Sequence, residues 1–417
     1  MLLELTNTPR DYAWGSRTAI AEFLGAEASD GPEAELWLGT HPGSPARTTR
    51  AVPAQDEQHD TLADWLRARP DLAGGRSGEG TDAGLPILLK ILAAAAPLSL
   101  QVHPTAAQAR AGFADEEARG IPLDDPARSY KDPFPKPEIV VAVSDRFDAL
   151  HGFRPAAEVA DLRDTLAAAG QPVAPLRSIL ADPSDIGAAL AWLLSGEPAV
   201  AACVDAIVRF SGSSDAAASP LAPTFRTARE IAAHHPSDPG IVVAMLMNRV
   251  SLRRGEALYT PAGVLHAYLS GLGIELMTAS DNVVRGGLTP KHIDTAELRA
   301  LLSFQQASAE LLAPVPVAVG VVRYAPPAPF ALTRVDPGGR SIEIELDGPG
   351  ILLVEGGPLT IDTPLTDTTD AALDLPRGGA AFADASTRSL RVSGPGVLWI
   401  ATTHDRSLEQ VTASANG

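Results

Sequence analysis

The sequence contains one cysteine, Cys203, among its 417 residues, which excludes an internal disulfide and argues against a thiolate metal site. It also lacks an uninterrupted apolar stretch of the ~18 residues that a membrane span requires. The nearest candidate, residues 85–100, contains Lys90 and Pro97. The N-terminal segment has no basic region followed by an apolar run, which is the pattern of a signal peptide. These absences predict a cytoplasmic protein without a membrane partner.

Basic residues are outnumbered, because 33 Lys and Arg stand against 51 Asp and Glu, giving a formal net charge of -18 at pH 7. Such an acidic chain is repelled by nucleic acid and by anionic membranes, which argues against both as general partners. A small anionic substrate needs only a local cluster of basic side chains and is compatible with this charge. The composition is 45% hydrophobic, and the length predicts two or three domains. A monomer is compatible with the sequence, which does not fix the oligomeric state.

The stretch Tyr259–Asp294 concentrates residues that can carry chemistry. It overlaps a spacing that is similar to the second sequence signature of the cupin fold, formed here by Gly255, Pro261, Gly263 and His266. The cupin fold is a small antiparallel barrel that holds its metal inside, and His266 is therefore a strong candidate for a metal ligand. Glycine permits the backbone bends and proline fixes the turn before the strand. The signature normally ends in Asn, where this chain has Ser270.

The periodicity of the apolar residues divides the chain into three parts. Residues 1–152 and 252–317 contain short strand-like segments, whereas residues 153–251 have helical spacing. Residues 318–417 return to short strands between Gly, Pro and Asp, and their only histidine is His404. We expect a mainly β protein with an α insertion. It would comprise a catalytic cupin-type jelly-roll barrel, a helical insertion domain, and a C-terminal cupin-like barrel without metal ligands.

A second group of candidate ligands lies at the end of a buried strand, in the sequence QVHP. Residues two apart in a strand point to the same face, and Gln101 and His103 can therefore enter one pocket. The alternative is a polar strand end capped by Pro104. His41, a single histidine before a proline in a loop, is expected to be an ordinary loop residue.

A third group follows a proline-rich segment that contains Pro133, Pro135 and Pro137. The prolines force an extended chain and deliver Lys136 and Glu138 to the start of an apolar strand. Glu138 is either an exposed edge carboxylate or a buried one, and a buried carboxylate needs a cation or a metal to compensate its desolvation.

Together these segments supply two nitrogen and two oxygen ligands without sulfur. The set suits one Zn2+ or another borderline divalent ion per chain, in an open catalytic site. Its members are Gln101, His103, Glu138 and His266.

The same segments resemble type I mannose-6-phosphate isomerases. The resemblance rests on QVHP, on KPE, and on the long run TPAGVLHAYLSGLGIELMTASDNVVRGGLTPKHID. YAWGS and ELWLGTHP near the N-terminus are also similar to that family, as is LPILLKILAAAAPLSLQVHP. The specific motifs fall within residues 1–152 and 252–300, and the helical insertion and the last hundred residues match the family only in layout.

The resemblance implies a zinc-dependent interconversion of D-mannose 6-phosphate and D-fructose 6-phosphate. The family's four zinc ligands fall on the set given above, and its active-site arginine falls on Arg285. The family commonly has Asn-His before Lys-Pro-Glu, where this chain has Phe134-Pro135. A role of that family histidine, such as a proton relay, therefore has no carrier at this position.

The chemistry of such an isomerisation asks for particular side chains. The sugar ring must open, and a proton must move between C2 and C1 through an enediolate. Lys136 and Glu275 are the candidate bases, and Asp281 is a candidate for orienting one of them. Arg285 offers a permanent cation for an enediolate or a phosphate. Structural roles for Glu275 and Asp281, such as capping a turn or pairing with Arg285, are the alternative.

The phosphate contacts are the least readable part of the sequence, and the candidates are Ser99, Lys90 and Lys291. Two other functions stay open at this stage. A cupin dioxygenase would usually show three His and a Glu around a redox metal, whereas this set has a Gln and only two His. A non-catalytic sugar-binding cupin would keep the pocket without needing Lys136, Glu275 and Arg285 together.

Overall fold

The computed structural model describes residues 1–52, 59–74, 84–363 and 372–403. Most of its regular structure is antiparallel sheet, and the helices concentrate in the middle of the chain, as the periodicity predicted. The strands are β1 (Leu2–Thr6), β2 (Glu35–Leu38), β3 (Arg47–Val52), β4 (Ile87–Ala94), β5 (Leu100–Val102), β6 (Glu138–Ala142), β7 (Phe147–Phe153), β8 (Met247–Leu252), β9 (Ala257–Thr260), β10 (His266–Thr278), β11 (Val284–Gly287), β12 (Val315–Ala318), β13 (Val321–Tyr324), β14 (Phe330–Val335), β15 (Ser341–Glu345), β16 (Gly350–Glu355), β17 (Leu359–Asp362), β18 (Leu373–Leu375), β19 (Ala380–Ala383), β20 (Ser389–Ser393) and β21 (Val397–Thr403).

The α-helices are α1 (Ala19–Leu24), α2 (Leu62–Ala68), α3 (Ala106–Ala118), α4 (Ala156–Thr165), α5 (Ala174–Ile179), α6 (Ile186–Leu193), α7 (Pro198–Ser211), α8 (Ser214–Ala218), α9 (Ala222–Ala232), α10 (Gly240–Met245) and α11 (Thr295–Leu301). Short 3-10 helices cover Pro70–Ala73, Leu166–Ala169 and Gln171–Val173.

The nine-stranded sheet is built around β10, which pairs with four other strands. Its first part, from His266 to Ser270, pairs with β5 and β7, and its second part pairs with β4 and β6. One long strand therefore crosses from one half of the sheet to the other. The side chains of β4, β5, β6 and β10 can meet in the interior because β10 borders all of them.

The passage of β10 between its two halves requires glycine at Gly271, whose φ is 120°. A Cβ atom there would lie 2.8 Å from the carbonyl oxygen of Arg146 and from the Cα of Phe147. Two glycines, Gly271 and Gly273, would allow a hairpin turn between His266 and Glu275. No such turn forms, because His266 and Glu275 belong to one continuous strand, yet both residues line the same pocket.

The helical segment from α4 to α10 packs its apolar residues against the sheet that contains β5 and β7. Leu100, Leu150 and Leu265 share a core with helix residues such as Leu190 and Ile207. Cys203 is buried in the same core. The helices therefore cover one side of the nine-stranded sheet.

The C-terminal strands form an eight-stranded and a four-stranded sheet. The N-terminal strands β1 and β3 join the eight-stranded sheet, where Leu3 of β1 pairs with Phe382 of β19. An apolar core that includes Leu89, Ile274 and Trp399 lies between this sheet and the nine-stranded one. The first and last parts of the chain are thus joined by backbone pairing and by packing. His404 lies outside the described residues.

Within the described ranges, no single helix is long and apolar enough to cross a bilayer. The consecutive helices α6 and α7 reach that length and apolarity only together, and they are bent by 104° at their junction.

Candidate metal centre and active site

Three predicted ligands meet in the interior of the nine-stranded sheet. His103 follows β5, Glu138 begins β6, and His266 begins β10, and all three side chains are buried. Their ligand atoms all lie within 4.8 Å of one another. The carboxylate of Glu138 lies between the two imidazoles, with Oε1 3.2 Å from His103 Nε2 and Oε2 3.3 Å from His266 Nε2. The buried alternative for Glu138 is therefore the correct one.

Each imidazole is oriented by a backbone carbonyl. His103 Nδ1 lies 2.7 Å from the carbonyl oxygen of Asn282, and His266 Nδ1 lies 3.1 Å from that of Val264. Because a carbonyl only accepts hydrogen bonds, each Nδ1 carries the proton and each Nε2 presents a lone pair to Glu138. Lone pairs that face a carboxylate repel it unless a cation lies between them. This arrangement fits a metal ion.

The electrostatics of the cluster point the same way. Burial lowers the pKa of His103 to about 4, which keeps its imidazole neutral near pH 7. His103 Nε2 is buried and has no hydrogen-bond partner among the described residues. Burial alone would raise the pKa of Glu138, but the charge of Lys136 opposes it, and that pKa lies well below its usual range. Neutral imidazoles and an ionised carboxylate are the forms that bind metals.

Gln101 lies on β5, between the strand that carries His266 and the strand that carries Arg285. It pairs with His266 on β10 and with Arg285 on β11. Its amide Nε2 donates to the hydroxyl of Ser99 at 3.3 Å. The position of Gln101 next to His266 is compatible with its predicted role as a fourth ligand.

Six of the predicted site residues line one pocket, together with residues that the sequence did not single out. The lining comprises Glu35, Lys90, Leu92, Leu98, Gln101, Lys136, Glu138, His266, Ala267, Tyr268 and Glu275.

Lys136 and Lys90 are both buried in this region, and each contacts a carboxylate. Lys136 Nζ lies 2.8 Å from Glu138 Oε1. Lys90 Nζ lies 2.9 Å from Glu275 Oε2 and 3.5 Å from Glu35 Oε1. Burial disfavours the ammonium form, but the carboxylates, Glu275 first, outweigh it and raise the pKa of Lys90. The charge of Lys90 is therefore already balanced by protein groups.

Glu275 is the buried partner of Lys90 and lies opposite it in the register of β10 and β4. Burial raises the pKa of Glu275 above its usual range, although Lys90 opposes the rise. A carboxyl group whose pKa is moved toward neutrality is suited to give and take protons. The ion partner of Glu275 is therefore Lys90, and not Arg285 as in the structural alternative.

Arg285 lies on β11, and Lys291 follows six residues later in the chain. Burial lowers the pKa of Arg285, and the charge of Arg285 lowers the pKa of Lys291. An anion bound by both side chains would relieve this effect of Arg285 on Lys291. Ser99, by contrast, is engaged by the amide of Gln101.

Asp281 and His41 form a pair that sequence inspection missed. His41 is buried, accepts a hydrogen bond from the backbone N–H of Gly43 through Nδ1, and places Nε2 3.2 Å from Asp281 Oδ2. Burial tends to raise the pKa of Asp281, but the hydrogen bond from His41 outweighs it and lowers that pKa. The imidazole ring also packs edge-on against Trp37. His41 is thus a buried partner of Asp281, in contrast to the expected ordinary loop residue.

The other residues that the sequence did not reveal are Glu35 and Tyr268 in the pocket wall. Tyr268 lies two residues after His266 on β10, and the strand period could have placed it on the same face. Glu35 begins the ELWLGTHP segment, and its carboxylate also accepts a hydrogen bond from Trp37 Nε1 at 2.9 Å. No spacing rule connects Glu35 to Lys90, because their strands are distant in sequence.

The fold and the buried cluster define a cupin-type β protein with an internal metal centre. A family model described as phosphomannose isomerase type I, catalytic domain, matches residues 2–156. Mannose-6-phosphate isomerase of Escherichia coli (strain K12) is 35% identical over 399 residues, covering 95% of this chain and 98% of that protein. Mannose-6-phosphate isomerase of Homo sapiens is 30% identical over 430 residues, covering 94% and 95%.

Among solved structures, mannose 6-phosphate isomerase from Salmonella typhimurium bound to fructose 6-phosphate and zinc superposes with a TM-score of 0.83. It is 32% identical, and the match covers 97% of this chain and 99% of that one. The likeness extends over nearly the whole chain in sequence and in structure. This chain belongs to the mannose-6-phosphate isomerase family.

Proposed function

We propose that this chain interconverts D-mannose 6-phosphate and D-fructose 6-phosphate, with one zinc ion held by Gln101, His103, Glu138 and His266. The observation that carries the proposal is the buried cluster in which two imidazole lone pairs face the carboxylate of Glu138. Family membership supplies the substrate and the reaction. When bound, zinc would act as a Lewis acid that polarises the sugar's oxygen atoms.

The protein's own residues would move the proton between C2 and C1. Lys136 and Glu275 both line the pocket that contains Glu138 and His266, which places two titratable groups within one cavity. The raised pKa of Glu275 supports it as a proton carrier, because a base works best when its pKa approaches the working pH. Asp281, held by His41, would fix the orientation of the groups around it.

Positive charge would serve the substrate at two places. Arg285 pairs with Gln101 across neighbouring strands, which puts it beside the proposed zinc ligands. A guanidinium beside the zinc ligands would stabilise negative charge as it develops on the sugar. Lys291, whose pKa is lowered by Arg285, would hold the phosphate. Lys90 is less suited to the phosphate than predicted, because two carboxylates already surround it. Ser99 stays a candidate phosphate contact.

We also propose that the chain is divided into three domains. Residues 1–152 and 252–317 would form the catalytic domain, since they contain every candidate residue named for the site. Residues 153–251 would form a helical insertion that supports one side of the sheet. Residues 318–417 would form a C-terminal β domain without metal ligands. A cytoplasmic location and a monomeric state belong to the same proposal, and sedimentation of the purified protein tests the latter.

The experiment that tests the function combines metal analysis with a coupled isomerase assay. We expect one zinc per chain and turnover of mannose 6-phosphate. Product formed early in heavy water should carry deuterium at the receiving carbon, because a proton held by a protein group exchanges with water. A direct hydride shift would leave no label.

Three results would contradict the proposal in different ways. Iron in place of zinc would favour a dioxygenase, and binding of the sugar phosphate without turnover would favour a non-catalytic cupin. Rapid turnover without any deuterium in the product would retain the reaction but refute proton transfer by a protein group.

A further inference from the structure

The segment that leads into β6 and carries Lys136, residues 131–137, lies outside the strand ladders that hold Glu138. The ladder between β6 and β10 ends at the pair Glu138 and Met277. Before that point the chain contains Pro133, Pro135 and Pro137, which have no N–H to donate to a neighbouring strand. Their carbonyl groups and those of their neighbours still need donors if they are buried.

Asn282 supplies several of the missing bonds from a fully buried position. Its Nδ2 donates to the carbonyl oxygens of Asp132 at 2.7 Å and Phe134 at 2.8 Å. Its Oδ1 accepts from the backbone N–H of Lys131 at 2.7 Å and of Asp132 at 3.2 Å. One side chain therefore takes the place of a strand partner for residues 131–134.

Two more side chains, one at the end of β10 and one just after it, continue this pattern. Thr278 Oγ1 donates to the carbonyl oxygen of Pro135 at 2.7 Å. Ser280 Oγ donates to Asp132 Oδ1 at 2.8 Å. All three side chains therefore bond to residues 131–135. We call this set the polar ladder, and it consists of the side chains of Thr278, Ser280 and Asn282.

The polar ladder also connects to a metal ligand through the backbone of Asn282, whose carbonyl oxygen accepts the hydrogen bond from His103 Nδ1. We propose that the polar ladder is a positioning device that sets Lys136 and Glu138 against His103. Asn282 is its central residue, because it fixes the proline segment with its side chain and the tautomer of His103 with its main chain. This proposal rests on the proposed function, since it assumes that zinc binds at the cluster.

The test is a zinc-affinity titration against a chromophoric chelator, which reads metal binding independently of turnover. Residues that orient metal ligands typically change metal affinity by about 10–100-fold when they are removed. We expect Asn282→Ala to weaken zinc binding by about that factor. Thr278→Val and Ser280→Ala each remove one donor with little change of shape, and we expect smaller losses of about 3–10-fold on the same ground.

Asn248→Ala is the matched control. Asn248 Nδ2 likewise donates to backbone carbonyls, those of His151 at 3.1 Å and Ala307 at 2.8 Å, and these acceptors lie outside the proline segment. Its removal should lower Tm without changing zinc affinity.

Unchanged zinc affinity in Asn282→Ala, with only a lower Tm, would overturn the proposal and leave a structural role. If Asn282→Ala does not fold, Thr278→Val and Ser280→Ala decide the matter, and unchanged affinity in both would overturn it. A wild-type chain that binds zinc tightly but does not isomerise mannose 6-phosphate would refute the proposed function instead.

Discussion

Lys90 and Glu275 face each other across β4 and β10 of the nine-stranded sheet, whereas the eight-stranded sheet buries Leu352, Phe382 and Trp399. Both sheets are antiparallel, and an apolar core lies between them. Beside the eight-stranded sheet, the buried carboxylate of Asp384 forms an ion pair with the N-terminal ammonium group at 2.9 Å.

The two sheets differ in how much their buried residues contribute to the stability of the fold. A buried ion pair contributes little net stability, because desolvation of its charges offsets their attraction. The buried charges of the nine-stranded sheet, which holds the proposed active site, therefore add little net stability. The eight-stranded sheet contributes apolar burial and has no candidate metal ligands among its described residues. Substitutions in the first region should reduce activity most, and substitutions in the second should reduce stability alone.

The largest expected effect concerns the metal ligands. Chelation should abolish turnover and added Zn2+ should restore it, whereas His103→Ala and His266→Ala should not recover at micromolar zinc. The reason is that each variant leaves Glu138 facing a single imidazole. The coupled assay with metal analysis measures this, and His234→Ala, a change at an exposed histidine, is the control. Full activity of metal-free protein would contradict the prediction.

The next effect separates the two candidate bases. Loss of a general base typically costs about 10²–10⁴-fold in turnover. We expect that loss in either Lys136→Met or Glu275→Gln, with zinc and sugar phosphate still bound. Deuterium incorporation measured by NMR should disappear in the same variant. Wild-type turnover in both variants would remove both residues from the mechanism.

Arg285→Ala tests whether the positive charge acts on the transition state. Removing a charged donor to a developing oxyanion costs about 3–4 kcal/mol, or about 10²–10³-fold in kcat. We expect that decrease while zinc stays bound, and a rise in KM alone for Lys291→Ala. If Arg285→Ala also changes only KM, then Arg285 binds the ground state of the substrate and its proposed role is wrong.

The C-terminal sheet should respond in stability and not in catalysis. Leu352 is completely buried on β16, and Leu352→Ala should cost about 2–5 kcal/mol of unfolding free energy through the cavity that it leaves. The kcat of the folded variant should equal that of the wild type. Val317→Ala, at a valine that is 56% exposed in the same sheet, is the control. Urea denaturation gives the free energies, and a large fall in kcat for Leu352→Ala would break the comparison.

The smallest expected effect is a dependence of stability on pH, and it concerns Asp148 in the nine-stranded sheet. Burial disfavours ionisation of Asp148, but hydrogen bonds from Ser251 and Arg146 and the charge of Arg249 outweigh it and lower its pKa from 3.8. A carboxyl group whose pKa is lower in the folded state stabilises the protein above its unfolded pKa. That stabilisation disappears as the pH falls through the folded pKa.

Asp148→Asn should therefore cost about 1.5–3 kcal/mol near pH 7, the range for hydrogen bonds to charged groups. The difference from the wild type should shrink below about pH 4, the unfolded pKa of aspartate. Urea denaturation across this pH range measures it, with Asp336→Asn in the C-terminal region as the control. A difference that stays constant with pH would show that the charge of Asp148 is unimportant.

Much of the site could be predicted because strand geometry is local. Gln101 and His103, and likewise Lys136 and Glu138, are two residues apart, a spacing that puts side chains on one face of an extended chain before any tertiary contact forms. The glycine and proline spacing before His266 adds a motif whose backbone requirements are also local. These features were enough to identify the metal ligands as candidates and to expect a β barrel with a helical insertion.

Other parts depended on contacts between distant segments. Nothing in the sequence relates Glu35 to Lys90, or His41 to Asp281, because each pair is brought together from segments that are far apart in the chain. The pairing of β1 with β19 joins the two ends of the described chain in the same way.

The sequence by itself determined the types of ligand, the strands that carry them and the helical interval, because apolar periodicity and proline act over a few residues. Only the tertiary structure decided which charges balance one another. It also decided that β10 continues through Gly271 without a turn. Close packing against Phe147 leaves no room for a Cβ atom at that position. Charge balance in a buried site is a property of distances across the fold, and a one-dimensional pattern does not contain those distances.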